Sequence, residues 1–459
     1  MQHSHEALDR PGGFAGRGLI SPLRHRDFRV LWAGMAISLL GDGIFLIAVA
    51  WESYALWNTP AALSIVGIGM ALPTVLFLLV GGIVSDRYDR RLVMMCADGV
   101  RGLAVGLLAA LVISGSLRFW ELVALVAIYG AGTAFFTPAF EAVVPDLLPA
   151  DDLPAANSLD QFVRPVALRL AGPLLGGALV SAGAGVAFTV DAISFGASLA
   201  AVAAIRPRLP ARDETNASAA AAVKEGLRFI RRRVWLWGTL ASAAIAYLLF
   251  LGPTEVLLPY VVKNELGGSA STLGLVFAAG GVGAVGSAIW MGSRGHPRRE
   301  VSFIYGTWTL ATLAVAGYGI ATAAWQLMVA CLVFNALETA GTIVWATLKQ
   351  RHVPSSMLGR VSSLDWLISI GLLPVSFALT APVAAAIGVR ATLVGAAIVG
   401  AAVTLGALFL PGMRDLERDA DALSAGGFAS DWATADRGAP PRLRRARTSR
   451  GPGSARALP

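Results

Sequence analysis

The chain has 459 residues, of which 56% are hydrophobic and only 14% are charged, and its mean hydropathy is +0.65. Soluble domains carry a charge on about 25% of their residues. This composition therefore excludes a soluble globular protein and predicts an integral membrane protein. The two cysteines both lie in apolar stretches, which excludes a disulfide framework and a thiolate metal site. The net charge of +8 has to be interpreted by its position relative to the membrane.

Apolar runs bounded by glycine, proline and charged clusters predict twelve transmembrane helices, numbered here as spans 1 to 12. Twelve spans of about 20 residues use about 240 residues and leave room for short loops, a connector and two tails. The N-terminal stretch has no apolar core followed by a small-residue cleavage site, so we expect span 1 to direct insertion. The predicted spans are 28–54, 61–85, 92–114, 119–142, 162–182, 185–205, 234–261, 270–293, 301–323, 325–349, 361–386 and 390–411.

The distribution of lysine and arginine predicts the orientation. With a cytosolic N-terminus, thirty-one of the 37 basic residues fall in tails and loops on the cytosolic side, as the positive-inside rule requires. We expect a multi-pass protein of the cytoplasmic or inner membrane, with both termini cytosolic. The predicted domains are an N-terminal tail (1–27), two six-helix bundles (28–205 and 234–411), a connector with an amphipathic helix (206–233) and a disordered basic tail (412–459).

An internal repeat supports the division into two bundles. The motif P-x3-L-x4-S-L-D begins at Pro149 and again at Pro354, and Gly183 matches Gly388 at the same displacement of 205 residues. Chance similarity in alanine-rich sequence is the alternative. Two six-helix copies related by an axis along the membrane normal describe a transporter architecture with its cavity between the halves near mid-membrane. The predicted fold is therefore an all-α membrane protein with twelve transmembrane helices in two pseudo-symmetric bundles.

The loop after span 2 reads Gly82-Ile-Val-Ser-Asp86-Arg87-Tyr-Asp89-Arg90-Arg91. It resembles the G-x-x-x-D-R-x-G-R-R/K signature of the major facilitator superfamily, with Asp89 in place of the second glycine. Further motifs look like the macrolide-efflux and enterobactin-exporter-like branch, and the similarity covers about residues 20–412. They are Pro22-Leu-Arg24-His-Arg26-Asp-Phe28, Ser38-Leu-Leu-Gly41-Asp42, Ala156-Asn157-Ser158, Gly172-Pro173-Leu-Leu-Gly176-Gly177 and Gly359-Arg360-Val361.

The resemblance implies a cytosolic gate. Asp86 matches the acid that meets the start of span 11 near Gly359 and Arg360, where the helix dipole favours a carboxylate by about 0.3–1 kcal/mol. Such a contact would act as a latch favouring the outward-open state. For Arg87, Arg90 and Arg91, positive charge that only fixes the topology is the alternative. Many drug/proton antiporters of the superfamily carry an arginine in span 4, but none lies between Leu122 and Phe140 here, so proton coupling must use other groups.

Charged residues inside the membrane are the sharper functional signal, because an Asp at mid-span costs roughly 2.5–3.5 kcal/mol. Asp42 lies near mid-depth in span 1, where an apolar environment favours the neutral carboxyl that a proton carrier needs. Glu338 and Asn335 lie at comparable depth in span 10. We expect these residues to line a proton and substrate cavity between the halves. A packing role through a hydrogen bond to a neighbouring helix is the alternative.

Other intramembrane residues have weaker signals. Asp98 and Arg101 lie on one face of span 3 and are close enough to pair; we place them in a charge network at the cytosolic end with Asp86 and Arg87. Arg169 has no acid one turn away, and Asp160, Asp365 or the interface are its expected neighbours. Asp191 and Glu255 lie in the outer thirds of their spans, where we expect them either to close an extracellular gate or simply to be hydrated.

Two more patterns concern the helix walls. Gly172, Pro173, Gly176 and Gly177 in span 5 predict a helix that bends, with close packing as the alternative. Phe136 and Phe140 share one face of span 4 and mark a possible cavity wall, although an aromatic pair at this spacing is more often packing.

No P-loop, zinc-protease motif or nucleophile elbow occurs in the sequence. We therefore expect no enzyme activity, no cofactor, no metal and a membrane gradient as the energy source. The predicted function is proton-coupled efflux of an amphiphilic small molecule such as a drug, siderophore or secondary metabolite. Uptake by symport and a non-transporting sensor or scaffold are the alternatives. The expected partners are a small-molecule substrate, protons and membrane lipids, without nucleic acid, and the expected state is a monomer.

Overall fold

A computed structural model of the chain describes residues 20–206, 219–294 and 297–418. Within them, twelve helices are long and apolar enough to cross a membrane, which confirms the twelve predicted spans. Spans 7 and 10 continue past their predicted ends through polar residues to Glu265 and His352, whereas spans 9 and 12 end earlier than predicted, at Ile320 and Ala407. Their bounds are Arg26–Leu56, Pro60–Ser85, Arg90–Ile113, Phe119–Leu147, Ala155–Ala182, Ala184–Ala203, Val234–Glu265, Ala270–Arg294, Glu300–Ile320, Ala324–His352, Met357–Ile387 and Val389–Ala407.

The packing of the spans repeats between the two halves. In the first half, span 2 packs on span 4, span 3 packs on spans 4 and 6, and span 1 packs on span 6. In the second half, span 8 packs on span 10, span 9 packs on spans 10 and 12, and span 7 packs on span 12. Gly183 and Gly388, matched in the sequence repeat, both adopt positive φ angles of 142° and 90° between the last two spans of each half. The repeat therefore reflects two copies of one six-helix bundle.

The two halves meet through two pairs of spans that the same symmetry relates. Span 5 packs against span 8, and span 2 packs against span 11. Span 5 is irregular at mid-depth, because a π-helical segment, Val166–Ala171, separates Leu153–Pro165 from Gly172–Ala182. π-Helical turns are rare and often occur at functional sites.

The connector contains the predicted helix, Ala219–Arg231, which packs against the start of span 11. Glu225 of this helix forms an ion pair with Arg360. The described residues from 20 to Arg414 form one compact unit. The predictions for most of the N-terminal tail, for 207–218 of the connector and for the C-terminal tail from 419 onwards lie outside the described residues.

Candidate functional site

Asp42 lies at mid-depth in span 1 and is only partly buried. The Tyr129 hydroxyl of span 4 donates a hydrogen bond of 2.6 Å to its Oδ1. The Tyr129 ring is fixed in turn by stacking on Phe45 at a centroid distance of 4.3 Å. The carboxyl of Asp42 is therefore held by the N-terminal half while part of it remains accessible.

The guanidinium of Arg101 lies in the interior of the same half. It forms an ion pair with Asp98, as their spacing predicted. Its centre is 4.5 Å from the ring centroid of Phe136 and 4.6 Å from that of Phe195, so two aromatic faces enclose it. Ser198 donates a 2.7 Å hydrogen bond to the other oxygen of Asp98. Both charges are nearly inaccessible, at 3% and 0% of their side-chain areas.

The structure places this pair inside the bundle, and its expected network with Asp86 and Arg87 stays a prediction. Arg101 and Asp98 interact electrostatically with Asp42 inside the bundle, because one helix face carries the pair toward spans 1, 4 and 6. The side chain of Asp86 lies outside the described part of the structure, and Arg87 is exposed. The predicted latch therefore stays a prediction.

Removing Arg101 is expected to destabilise the folded protein strongly. Arg101→Leu leaves Asp98 buried without its cation, and breaking one side of a buried pair costs about 3–5 kcal/mol. The thermal unfolding midpoint of the detergent-purified protein measures the loss. The double variant Asp98→Asn, Arg101→Leu should regain part of it, and a double variant no more stable than Arg101→Leu would contradict this account.

Phe140 does not form a cavity wall. It is only 6% exposed and packs in the core of the N-terminal half, with its ring stacked on Phe136 at 6.0 Å. Phe136 covers Arg101. The i, i+4 pair thus serves packing and the enclosure of a cation, which the helix spacing alone could not distinguish from a wall.

Asp191 of span 6 is fully buried, at 0% exposure, so it is not a solvent-exposed group. Its role in a gate stays a prediction. Its Oδ1 accepts a 3.2 Å hydrogen bond from Ser194. Glu255, in contrast, is exposed. A hydropathy pattern gives the depth of a residue but not the direction in which it points, so these two acids could not be separated from the sequence.

A second polar cluster joins the two halves around Arg169, which the sequence left unassigned. Arg169 lies in the π-helical segment of span 5, and its guanidinium donates to the side-chain oxygen of Asn335 in span 10. Its nearest nitrogen is 3.9 Å from Glu338, and half of its side chain is exposed. Asn335 and Glu338 come together as expected, one helical turn apart, and Thr342 donates a 3.0 Å hydrogen bond to Glu338.

The partners expected for Arg169 are wrong. Asp160 pairs with Arg164 at 2.8 Å, and Asp365 pairs with Lys349. Arg169 also interacts electrostatically with Glu255. One feature of the sequence could have predicted these contacts: an arginine of the first half without a partner on its own helix lies at the same depth as acids of the second half.

The glycines of span 5 serve close packing, and the irregularity of the helix lies in the segment just before them. A Cβ at Gly172 would lie 2.6 Å from the Cα of Gly43, and one at Gly176 would lie 3.0 Å from the Cα of Ile44 in span 1. A Cβ at Gly177 would lie 3.0 Å from the Cα of Ser271 in span 8. Pro173 occupies the first turn of the helix that follows the π segment, where proline is tolerated.

Arg90 and Arg91 bind within the N-terminal half. Arg90 pairs with Asp146 at 2.6 Å and donates to the carbonyl of Ala142, both near the end of span 4. Arg91 donates to two carbonyls near the end of span 6. Asp89, where the superfamily signature has glycine, caps span 3 by accepting from the backbone N–H of Arg91 at 2.9 Å. These contacts join three helix ends, in addition to any effect of the charges on topology.

The halves are closed together at one end of the molecule, where spans 1, 5 and 7 finish; we call it the closed end. The Tyr54 hydroxyl donates a 2.6 Å hydrogen bond to the Val256 carbonyl. Asn58 donates to Asn264 at 2.7 Å. At the opposite end, a Cβ added at Gly82 or Gly359 would meet nothing within 4 Å. The two motif glycines therefore have open space beside them in this state.

These features can be compared with known proteins. Residues 17–429 match the profile of a family described as transmembrane secretion effectors, within the major facilitator superfamily. The chain belongs to this family. Transmembrane secretion effectors of this superfamily are multi-pass membrane transporters, so the chain is a transporter and not an enzyme.

Curated relatives are similar over most of their length. Macrolide efflux protein A of Streptococcus pyogenes is 24% identical over 79% of this chain and 90% of its own. The enterobactin exporter EntS of Escherichia coli O1:K1 is 27% identical over 74% of this chain and 81% of its own. The MFS-type transporter YfiS of Bacillus subtilis is 26% identical over 73% and 81%.

Two solved structures show the same fold. A nucleoside transporter NupG mutant superposes with a TM-score of 0.61 at 10% identity, covering 82% of this chain and 99% of its own. A bacterial homologue of the iron transporter ferroportin in its inward-facing state also gives 0.61, at 18% identity, covering 83% and 98%. The likeness to these transporters confirms the predicted major facilitator architecture.

Proposed function

We propose that the chain exports an amphiphilic small molecule in exchange for protons, with Asp42 as the proton-binding group. One observation carries the proposal: Asp42 is a mid-membrane carboxyl that is hydrogen-bonded to Tyr129 yet partly accessible. Such a group is able to take up and release a proton through its accessible side. Export is supported by relatives named for macrolide efflux and enterobactin export.

We propose that both termini are cytosolic, as the positive charge predicts. The closed end then faces the exterior, and the open space beside Gly82 and Gly359 faces the cytosol. This is the state that receives a substrate from inside the cell. The Arg169 cluster spans both halves and supplies charged groups of both signs to the substrate path.

The test is transport by Asp42→Asn in inverted membrane vesicles with an acidic interior. Asparagine keeps the shape and can accept the Tyr129 hydrogen bond, but it cannot exchange a proton. We expect the accumulation driven by the proton gradient to disappear, while exchange of labelled for unlabelled substrate without a gradient remains. The compounds tested are amphiphiles that include a macrolide and enterobactin.

Glu121→Gln is the matched control, because it neutralises a carboxyl in the first turn of span 4 whose one hydrogen bond among the described residues comes from the backbone N–H of Arg118. It should transport like the parent. Unaltered gradient-driven accumulation by Asp42→Asn would refute the role of Asp42. Accumulation only in right-side-out vesicles under an inward proton gradient would favour uptake by symport instead of export.

A further inference from the structure

Asp191 is a buried acid whose charge has no evident compensation. Its side chain is fully buried, and its Oδ2 has no hydrogen-bond partner among the described residues. Its Oδ1 accepts only the long 3.2 Å bond from Ser194, whose hydroxyl also donates to the Asp191 carbonyl. An ionised carboxylate without partners is costly to bury, so such a group tends to be neutral.

The carboxyl of Asp191 packs directly on the backbone next to Asp42. A Cβ added at Gly41 would lie 2.3 Å from Asp191 Oδ1 and 2.2 Å from Ser194 Oγ. Any side chain larger than hydrogen at position 41 would displace the acid. Glycine before Asp42 therefore allows a second carboxyl to approach from span 6, close enough for the two acids to interact electrostatically.

The charges around Asp191 do not balance. The titratable groups that interact with Asp191 are Asp42 on span 1, Arg101 on span 3 and Tyr129 on span 4. Arg164 of span 5 acts in addition on Asp42. Arg101 is already paired with Asp98. Arg101 thus faces three carboxyls, Asp98, Asp42 and Asp191, and among the described residues neither Asp42 nor Asp191 forms an ion pair. Two like charges sharing a poorly hydrated site cannot both form cheaply.

We infer that Asp42 and Asp191 form one proton-binding carboxyl pair, in which Asp191 keeps a proton while Asp42 exchanges its own through its exposed side. The inference rests on the proposed function, because it assigns a second proton-binding residue to the same site. The division of labour follows from access: Asp42 is partly exposed and Asp191 is sealed. The described residues hold no cluster of three or more His, Cys, Asp or Glu able to hold a metal, which favours a proton as the ligand.

The test is infrared difference spectroscopy of the purified protein across pH, which detects the carbonyl stretch of protonated carboxyl groups and needs no substrate. At a pH low enough to protonate both groups, we expect Asp42→Asn and Asp191→Asn each to remove about half of the band that the double variant removes, because each residue holds one proton of the pair. The band of the parent should titrate in two steps, and that of either single variant in one. Unchanged band intensity in Asp191→Asn would overturn the inference.

Ser194→Ala keeps both acids and removes the hydroxyl that donates to Asp191. We expect the full band intensity, persisting to higher pH because the charged form loses a hydrogen bond; an unmoved band would contradict the assignment. Glu121→Gln serves again as the control. Loss of the band on adding sodium at fixed pH would overturn the proton assignment. Normal vesicle transport by Asp42→Asn would refute the proposed function alone, because the spectra report the pair independently of transport.

Discussion

Cross-linking span 5 to span 8 at the closed end is expected to abolish transport reversibly. The hydroxyl oxygens of Ser181 and Ser271 are 2.8 Å apart across the two halves. A disulfide needs Cβ atoms about 3.5–4.5 Å apart, a separation compatible with this contact. If the two halves rock against each other during transport, they must separate at the closed end in each cycle. A covalent bond between them there should therefore stop the transport cycle.

The experiment uses Ser181→Cys, Ser271→Cys in a Cys96→Ser background, since Cys96 is exposed whereas Cys331 is buried. Oxidation should reduce vesicle transport to the level of vesicles without the protein, and reductant should restore it. Each single-cysteine variant is the control and should be insensitive to oxidant. A fully cross-linked protein that still transports would show that the closed end does not open.

The twelve spans were predictable because the membrane imposes one strong rule: an apolar run of sufficient length must be a helix. The pair of Asp98 and Arg101 was predictable because three residues bring two side chains to one face. Both inferences use only local geometry. They require no knowledge of how one helix is rotated against another.

The contacts of Arg169 and the burial of Asp191 were not predictable, because they depend on how one helix is rotated against another. Arg169 meets Asn335, which is 166 residues away and in the other half. Asp191 is buried through the rotation of span 6 toward Gly41, which no single-helix pattern encodes. The π-helical segment that carries Arg169 shifts the register within its own helix, so even its direction departs from regular helical spacing.

Replacing Gly274 of span 8 by leucine is expected to abolish transport by forcing the halves apart. A Cβ at this position would lie 2.4 Å from the carbonyl oxygen of Pro173 and 3.0 Å from the Cα of Gly177 in span 5. Both are backbone atoms, which cannot rotate away as a side chain would, and small residues at such contacts are what allow two membrane helices to approach closely. Leucine should therefore prevent the closed end from forming.

Gly286→Leu is the matched control on the same span, because an added Cβ there meets nothing within 4 Å. It should transport normally. The yield of the disulfide between Ser181→Cys and Ser271→Cys in the Cys96→Ser background measures the closed end directly, because the two serine hydroxyls are 2.8 Å apart there. The disulfide yield should fall in Gly274→Leu and stay at the parent level in Gly286→Leu. Span 5 also carries Arg169, so the same displacement should separate Arg169 from Asn335. One substitution would then both open the closed end and break the Arg169 cluster. Normal transport by a stably folded Gly274→Leu variant would contradict this coupling.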